Sequence, residues 1–365
     1  MNKEFFGNSA SALKGVLDEE KPQKIFLVAD KNAYDKSGAE ALFSSVLKGF
    51  EVVVFSEFQE NPKIEDIEKG IEAFRSFSPD LVLAVGGGSA LDIAKSVNVL
   101  ANQGGDPLDY IFNKKEIANR GKPLIAVPTT AGTGAEATQF AVVYVNGIKH
   151  SLAHAFVVPN YSIVDSQLTF SLPPRVTAVT GMDALAQAIE SYWSNKATEE
   201  SKQYAKEALS FILPNIALAV NNPSPEARAA MSRGAYLAGK AINISFTTAC
   251  HAISYTFTAR YGIPHGHAVA LTLPAMIEYN AEALKEDVLS ELLSLSDSQN
   301  AKQAADRVRS LMQEIGLETR LSELGISNIR EVEELVVKEV NLERLRNNPR
   351  VLKEQDLRVI LRSIQ

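Results

Sequence analysis

The chain is short of cysteine, tryptophan and histidine, with one Cys, one Trp and five His among 365 residues. A single thiol, Cys250, excludes an internal disulfide and agrees with a reducing, cytoplasmic setting. It sits in an apolar helical segment, where a lone Cys is ordinarily a small core residue and not a nucleophile. No basic-plus-apolar stretch at the N-terminus resembles a signal peptide, and no run of about 18 apolar residues could span a bilayer. Basic residues are in deficit as well: 37 Lys and Arg face 44 Asp and Glu, for a net charge of −7. That balance argues against nucleic acid or an anionic membrane as partner.

What is present is the composition of a globular protein, 45% apolar and 22% charged. Its length suits two domains, since single cores seldom grow past about 250–300 residues. Runs at Lys24–Ala29, Glu51–Phe55, Leu81–Val85, Leu124–Val127, Ala141–Val145 and Tyr161–Val164 read as strands. Amphipathic stretches such as Ile64–Phe77 separate the first four. Continuously apolar strands alternating with helices predict a parallel sheet covered on both faces. Beyond Leu172-Pro173-Pro174 the pattern is helix after helix. The expected organisation is an α/β domain over residues 1–172 followed by an all-helical domain over 173–365, with no internal repeat.

The strand Leu81–Val85 runs into Gly86-Gly87-Gly88-Ser89 and then the helical Ala90–Ala101. Glycines at a strand's carboxyl end let backbone N–H groups approach an anion, and the helix start adds partial positive charge. Ser89 can cap that helix or donate to a phosphate. Thr129, Thr130 and Thr133, with Gly132 and Gly134, form a second, hydroxyl-rich loop after Leu124–Val127. Asp30, at the end of the first strand, can accept ribose hydroxyls as acids do in NAD sites, or cap the next helix.

Three of the five histidines, His251, His265 and His267, fall within seventeen positions. The segment from Leu237 to Arg260 reads as one buried helix, with Lys240, Thr247, His251 and Tyr255 along one face. Tyr261-Gly262-Ile263-Pro264 then breaks it. Upstream, Asp183, Gln187 and Glu190 share a helix face. Asp183 and Gln187 with His251 and His265 make a four-ligand set for a divalent ion. Lys240 on the His251 face needs an anion, either Glu190 or Asp183 or an acidic group on the substrate.

The segments GGGSALDIAK, PTTAGTGAEAT, GMDALAQAIESYWS and PHGHAVALTLP, in this order, resemble the iron-containing (group III) alcohol dehydrogenases, which share a two-domain fold with dehydroquinate synthase. The resemblance spans roughly Lys24 to Asn280. It implies that Gly87, Gly88, Ser89 and Asp92 hold the dinucleotide's pyrophosphate side, and that Thr129, Thr130, Thr133 and Lys149 line the rest of the groove. Asp30 matches the acid that favours NAD(H) over NADP(H). Asp183, His251 and His265 match ligands of one divalent ion, Fe, Zn, Mn or Ni. Gln187 and Tyr255 stand where the family usually has His, which leaves Tyr255, His267 or a water as proton donor. Lys240 and Arg260 are then candidate contacts for an acidic substrate. Within the family the chain looks most like the branch reducing phosphonoacetaldehyde to 2-hydroxyethylphosphonate, as a homodimer. The alternatives are reduction of another small aldehyde or ketone, or a dehydroquinate synthase-like lyase.

Overall fold

The computed structural model describes residues 2–340 and 342–365. They divide into two compact units, the first ending at Leu172 and the second starting at Pro173. The first holds β1 (Lys3–Phe6), β2 (Lys24–Ala29), β3 (Glu51–Phe55), β4 (Leu81–Gly86), β5 (Leu124–Pro128), β6 (Phe140–Val145), β7 (Ile148–Ala153) and β8 (Tyr161–Val164). Six of these form one sheet in the order β1-β8-β5-β4-β2-β3, and every pair in it is parallel.

The uniformly apolar strands follow from burial on both faces. Phe26, Val28, Val82, Ala84, Leu124 and Ala126 pack toward Ile67, Ile71 and Phe74 of the helix Ile64–Phe77. Their sequence neighbours Ile25, Leu27, Leu83 and Val127 pack on the opposite side with Leu13, Val16 and Phe43. Strand β3 lies on one side of β2 and β4 on the other, so chain direction across the sheet reverses between β2 and β4. In open parallel sheets that reversal opens a crevice at the strands' carboxyl ends, where ligands bind. Asp30 and the glycine turn sit at those two ends.

Two strands depart from the expectation. The run Ala141–Val145 is not part of the parallel sheet: β6 pairs antiparallel with β7. The cause is the turn Asn146-Gly147, whose φ of 51° and 77° closes a tight hairpin. The sheet's sixth place is taken by β1, four residues that are mostly exposed and too few to show a period.

Among its described residues the second unit is helical throughout. Its long helix Pro174–Trp193 is buried over most of its length and packs on Glu199–Ile212, Pro225–Ser245 and His265–Ala281. The expected single helix from Leu237 to Arg260 is two, Pro225–Ser245 and Ala249–Tyr261. Between them Phe246 takes φ 61°, ψ 169°, a region that residues other than glycine seldom enter. Asn347 holds this bend, its Nδ2 donating to the carbonyls of Ser245 (2.9 Å) and Thr247 (3.0 Å). No helix among the described residues is long and apolar enough to cross a membrane.

Gly70, inside the helix Ile64–Phe77, marks where helix and sheet layers touch. A Cβ there would lie 2.5 Å from Val97 Cγ2 and 3.1 Å from Phe55 Cε1. Gly→Ala in a helix interior ordinarily stabilises by about 0.5–1 kcal/mol. Here overpacking wins: Gly70→Ala should destabilise by about 1–3 kcal/mol, read as a lowered denaturant midpoint.

Candidate functional site

At the switch point of the first unit, β4 ends in Gly86 at φ 151° and the helix Gly88–Leu100 starts directly after Gly87. A Cβ on Gly86 would meet Ala90 Cβ at 2.7 Å, and one on Gly88 would meet Thr133 Cγ2 at 2.9 Å. One on Gly87 would sit 3.4 Å from Thr130 Cγ2, while the Thr129 N–H donates to the Gly86 carbonyl at 2.9 Å. Glycine turn and threonine loop thus close on each other around a helix start, a cradle suited to pyrophosphate. The helix begins two residues earlier than Ser89 capping would require. Ser89 Oγ instead accepts from the Asn61 N–H at 3.3 Å.

Asp30 does cap its helix, accepting from the Ala33 N–H at 2.7 Å through Oδ1. It also stands beside Gly86 across the β2/β4 pair. Asp92 lies behind the cradle, buried in a cluster with Lys95 and Glu136. Burial pushes the Asp92 carboxyl up to about 6, against the opposing pull of Lys95, the Val142 N–H and Lys149. Burial likewise lowers Lys95 to about 8 and raises Glu136 to about 7. Lys95 Nζ donates to the Ala135 carbonyl (2.7 Å) and to Thr138 Oγ1 (3.0 Å). Asp92 thus belongs to the helix that starts at the cradle, its carboxyl buried with Lys95 among its charged neighbours. Lys149 lies half-buried on β7.

In the second unit Asp183, His251 and His265 each offer a ligand atom, all within 4.8 Å of one another. His251 Nε2 is buried, makes no hydrogen bond and lies 3.3 Å from Asp183 Oδ1. The imidazoles of His251 and His265 stand 5.5 Å apart at 73°. Gln187, one turn beyond Asp183, is buried on the same helix with its Oε1 out of reach of water. A carboxylate, two imidazoles and a neighbouring amide, with a ring nitrogen held dry and facing the carboxylate, fit a divalent ion.

Glu190 orders this set. It is wholly buried, accepts from Thr248 Oγ1 and the Cys250 N–H, each at 2.7 Å, and binds His251 Nδ1. Trp193 Nε1 in turn donates to Thr248 Oγ1 at 3.0 Å. With Nδ1–H committed to Glu190, the His251 lone pair is on Nε2, toward Asp183. Burial works against charge on this ring, but Glu190 and Asp183 prevail and raise its pKa above the ordinary value. His265 Nδ1 faces Ser254 Oγ at 3.4 Å.

The remaining residues separate. Tyr255 stacks on His265, ring centroids 6.0 Å apart at 25°, and burial raises its phenol pKa. His267 points elsewhere: Nε2 is 2.7 Å from the Glu318 carbonyl and Nδ1 3.4 Å from an Arg175 amino group. Arginine only donates, so Nδ1 accepts, Nε2–H donates, and both nitrogens are engaged; burial lowers the ring's pKa further. Of the two candidate proton donors, Tyr255 is the one stacked on a candidate ligand. Arg260 is exposed and clamped on Glu339, away from the donor set. Lys240 belongs to the helix before the bend, its ammonium 4.4 Å from the Tyr204 ring centroid and 5.9 Å from that of Tyr236. The shared face with His251 does not exist. Cys250 is buried, with its thiol pKa driven up by desolvation, as a core residue's would be.

Sequence reading placed Glu190 on the Asp183 face only as a possible partner of Lys240, where the structure has it bound to His251 instead; its spacing was the available signal. Gly266 was passed over. A Cβ there would lie 2.0 Å from the Val179 carbonyl oxygen and 2.9 Å from Asp183 Cβ, so only glycine lets the His265 helix start press against the Asp183 helix. Arg344 was missed entirely.

A switch-point nucleotide fold and a buried carboxylate–imidazole donor set are the equipment of a metal-dependent dehydrogenase. The profile of the iron-containing alcohol dehydrogenases matches residues 2–166, and that of the C-terminal part of the Fe-containing alcohol dehydrogenase family matches residues 177–365. The chain belongs to the iron-containing alcohol dehydrogenase family and is an enzyme of that kind. It is 34% identical over 324 residues to long-chain-alcohol dehydrogenase 1 of Geobacillus thermodenitrificans, covering 86% of this chain and 82% of that protein. Sulfoacetaldehyde reductase of Bilophila wadsworthia is 32% identical over 324 residues, covering 84% and 82%. The crystal structure of sulfoacetaldehyde reductase from Bifidobacterium kashiwanohense in complex with NAD+ superposes with a TM-score of 0.92 at 29% identity, covering 100% of this chain and 96% of that one.

Two substitutions test the donor set. Gly266→Ala should displace His265, lowering bound metal and cutting kcat/KM about 100-fold, with helicity retained; metal analysis and circular dichroism read this. Glu190→Gln removes the charge but not the volume. Metal affinity should fall about 10–100-fold in chelator competition.

Proposed function

We propose that this enzyme uses NADH and a divalent ion to reduce phosphonoacetaldehyde to 2-hydroxyethylphosphonate. The observation that carries the reductive chemistry is the convergence of Asp183, His251 and His265, with Glu190 holding His251 in the ligating tautomer. When bound, the ion, one of Fe, Zn, Mn or Ni, would polarise the aldehyde oxygen and the reduced nicotinamide would supply hydride to its carbon. Gln187 completes the ligand set with an amide oxygen, a harder donor than imidazole.

The chain's other residues bind, orient and hold a proton. The N–H groups at the start of the helix Gly88–Leu100, with Thr130 and Thr133 opposite, take the pyrophosphate. Asp30 receives the ribose hydroxyls and so favours NADH over NADPH. Tyr255 keeps its proton, since burial raises its pKa; with His267 engaged by Arg175 and Glu318, the phenol is the donor to the forming alcohol. The acidic substrate is supported by the segment IPHGHAVALTLP, by Gln187, and by relatives named for sulfoacetaldehyde, a two-carbon aldehyde with an acid group of similar shape. The reading includes a cytoplasmic homodimer.

Phosphonoacetaldehyde, sulfoacetaldehyde and neutral aldehydes of matched size, assayed with both nicotinamides on metal-reconstituted protein, test the proposal. The expected result is the highest kcat/KM with phosphonoacetaldehyde and NADH. Preference for a neutral aldehyde would sink the substrate assignment, and conversion without net nicotinamide oxidation would point to a lyase.

A further inference from the structure

The bend at Phe246 carries a cation that the reading above does not use. Arg344 lies in the short helix Leu342–Arg346, and its guanidinium donates to Thr247 Oγ1, within the bend. The same group stands over the Tyr255 ring, its carbon 5.9 Å from the centroid. That ring is stacked on His265, a candidate metal ligand. Two ring contacts therefore separate a half-buried guanidinium from the place assigned to the aldehyde. Arg344 also acts on Tyr255 electrostatically, opposing the rise that burial imposes on its phenol.

The other cations considered for this task are committed elsewhere, Lys240 over Tyr204 and Arg260 on Glu339. A guanidinium offers a planar fork of donors that matches a tetrahedral oxyanion. Thr247 fixes one arm of that fork, so the group is oriented before any ligand arrives.

We propose that Arg344 binds the acid group of the substrate and makes the enzyme select anionic short-chain aldehydes over neutral ones. This rests on the reading of the chain as an aldehyde reductase. Tyr255, between the cation and the ligand set, then faces the carbon chain joining acid group and carbonyl.

Arg344→Ala and Arg344→Lys test the role. In the alanine variant KM for phosphonoacetaldehyde should rise about 10–100-fold, the scale of a lost charged hydrogen bond, while KM for propanal moves far less and any loss through the Tyr255 contact lowers kcat for both aldehydes alike. The lysine variant keeps the charge and loses the fork, and should fall between. Calorimetric titration with 2-hydroxyethylphosphonate and 2-hydroxyethanesulfonate gives a readout independent of turnover: affinity should drop in Arg344→Ala at unchanged metal content. Equal losses on phosphonoacetaldehyde and propanal, or unaltered phosphonate and sulfonate affinity in both variants, would overturn the proposal and leave Arg344 as a tie for the bend. Absence of nicotinamide oxidation with every aldehyde would instead refute the reductase reading, and the titration would still decide whether Arg344 binds the anion.

Discussion

A carboxylate with no access to water must be answered by donors on all sides, and Glu190 is the group around which the second unit is arranged. Its partners arrive from the start of the helix Ala249–Tyr261: a hydroxyl, a backbone N–H and an imidazole from Thr248, Cys250 and His251. To deliver all three, the chain must enter that helix at a fixed angle. The bend at Phe246 supplies the angle, and a residue in a disfavoured backbone region is accepted there because its surroundings determine it. The donor set is thus the outcome of satisfying one buried charge.

The first unit solves a related problem without charge. Its glycine turn and threonine loop approach so closely that side chains on Gly86 or Gly88 would collide with Ala90 or Thr133. Beneath it, Asp92, Lys95 and Glu136 form a buried polar cluster shifted toward neutrality by desolvation. In both units, rigid partners behind the functional groups fix orientation, and the groups themselves are few.

Much of this was legible in the residues. Apolar runs between amphipathic helices give the two-sided sheet, and Ile64–Phe77 has the bounds its periodicity implies. The Asp183 and Gln187 spacing and the PHGH segment point to the donor set. What could not be read depends on contacts distant in sequence. Neither glycine nor proline marks the Phe246 bend, which is held by Asn347. His267 looked like a relay until Arg175 and Glu318 took its two nitrogens. Arg344 sits in a helical stretch rich in charged residues, with no motif to set it apart from its neighbours. The polar strand β7 and the short β1 carry no period strong enough to show.

The fastening of the bend also orders events in time. Asn347 closes on Ser245 and Thr247 across 102 and 100 positions of chain, and contacts of such separation form late because a large loop must be closed first. During synthesis the segment bearing His251 leaves the ribosome about a hundred residues before the one that sets its angle. The frame around the candidate ligands therefore closes only once Asn347 has joined it, and a polypeptide clipped before that residue would present the same side chains without the contact that sets their angle.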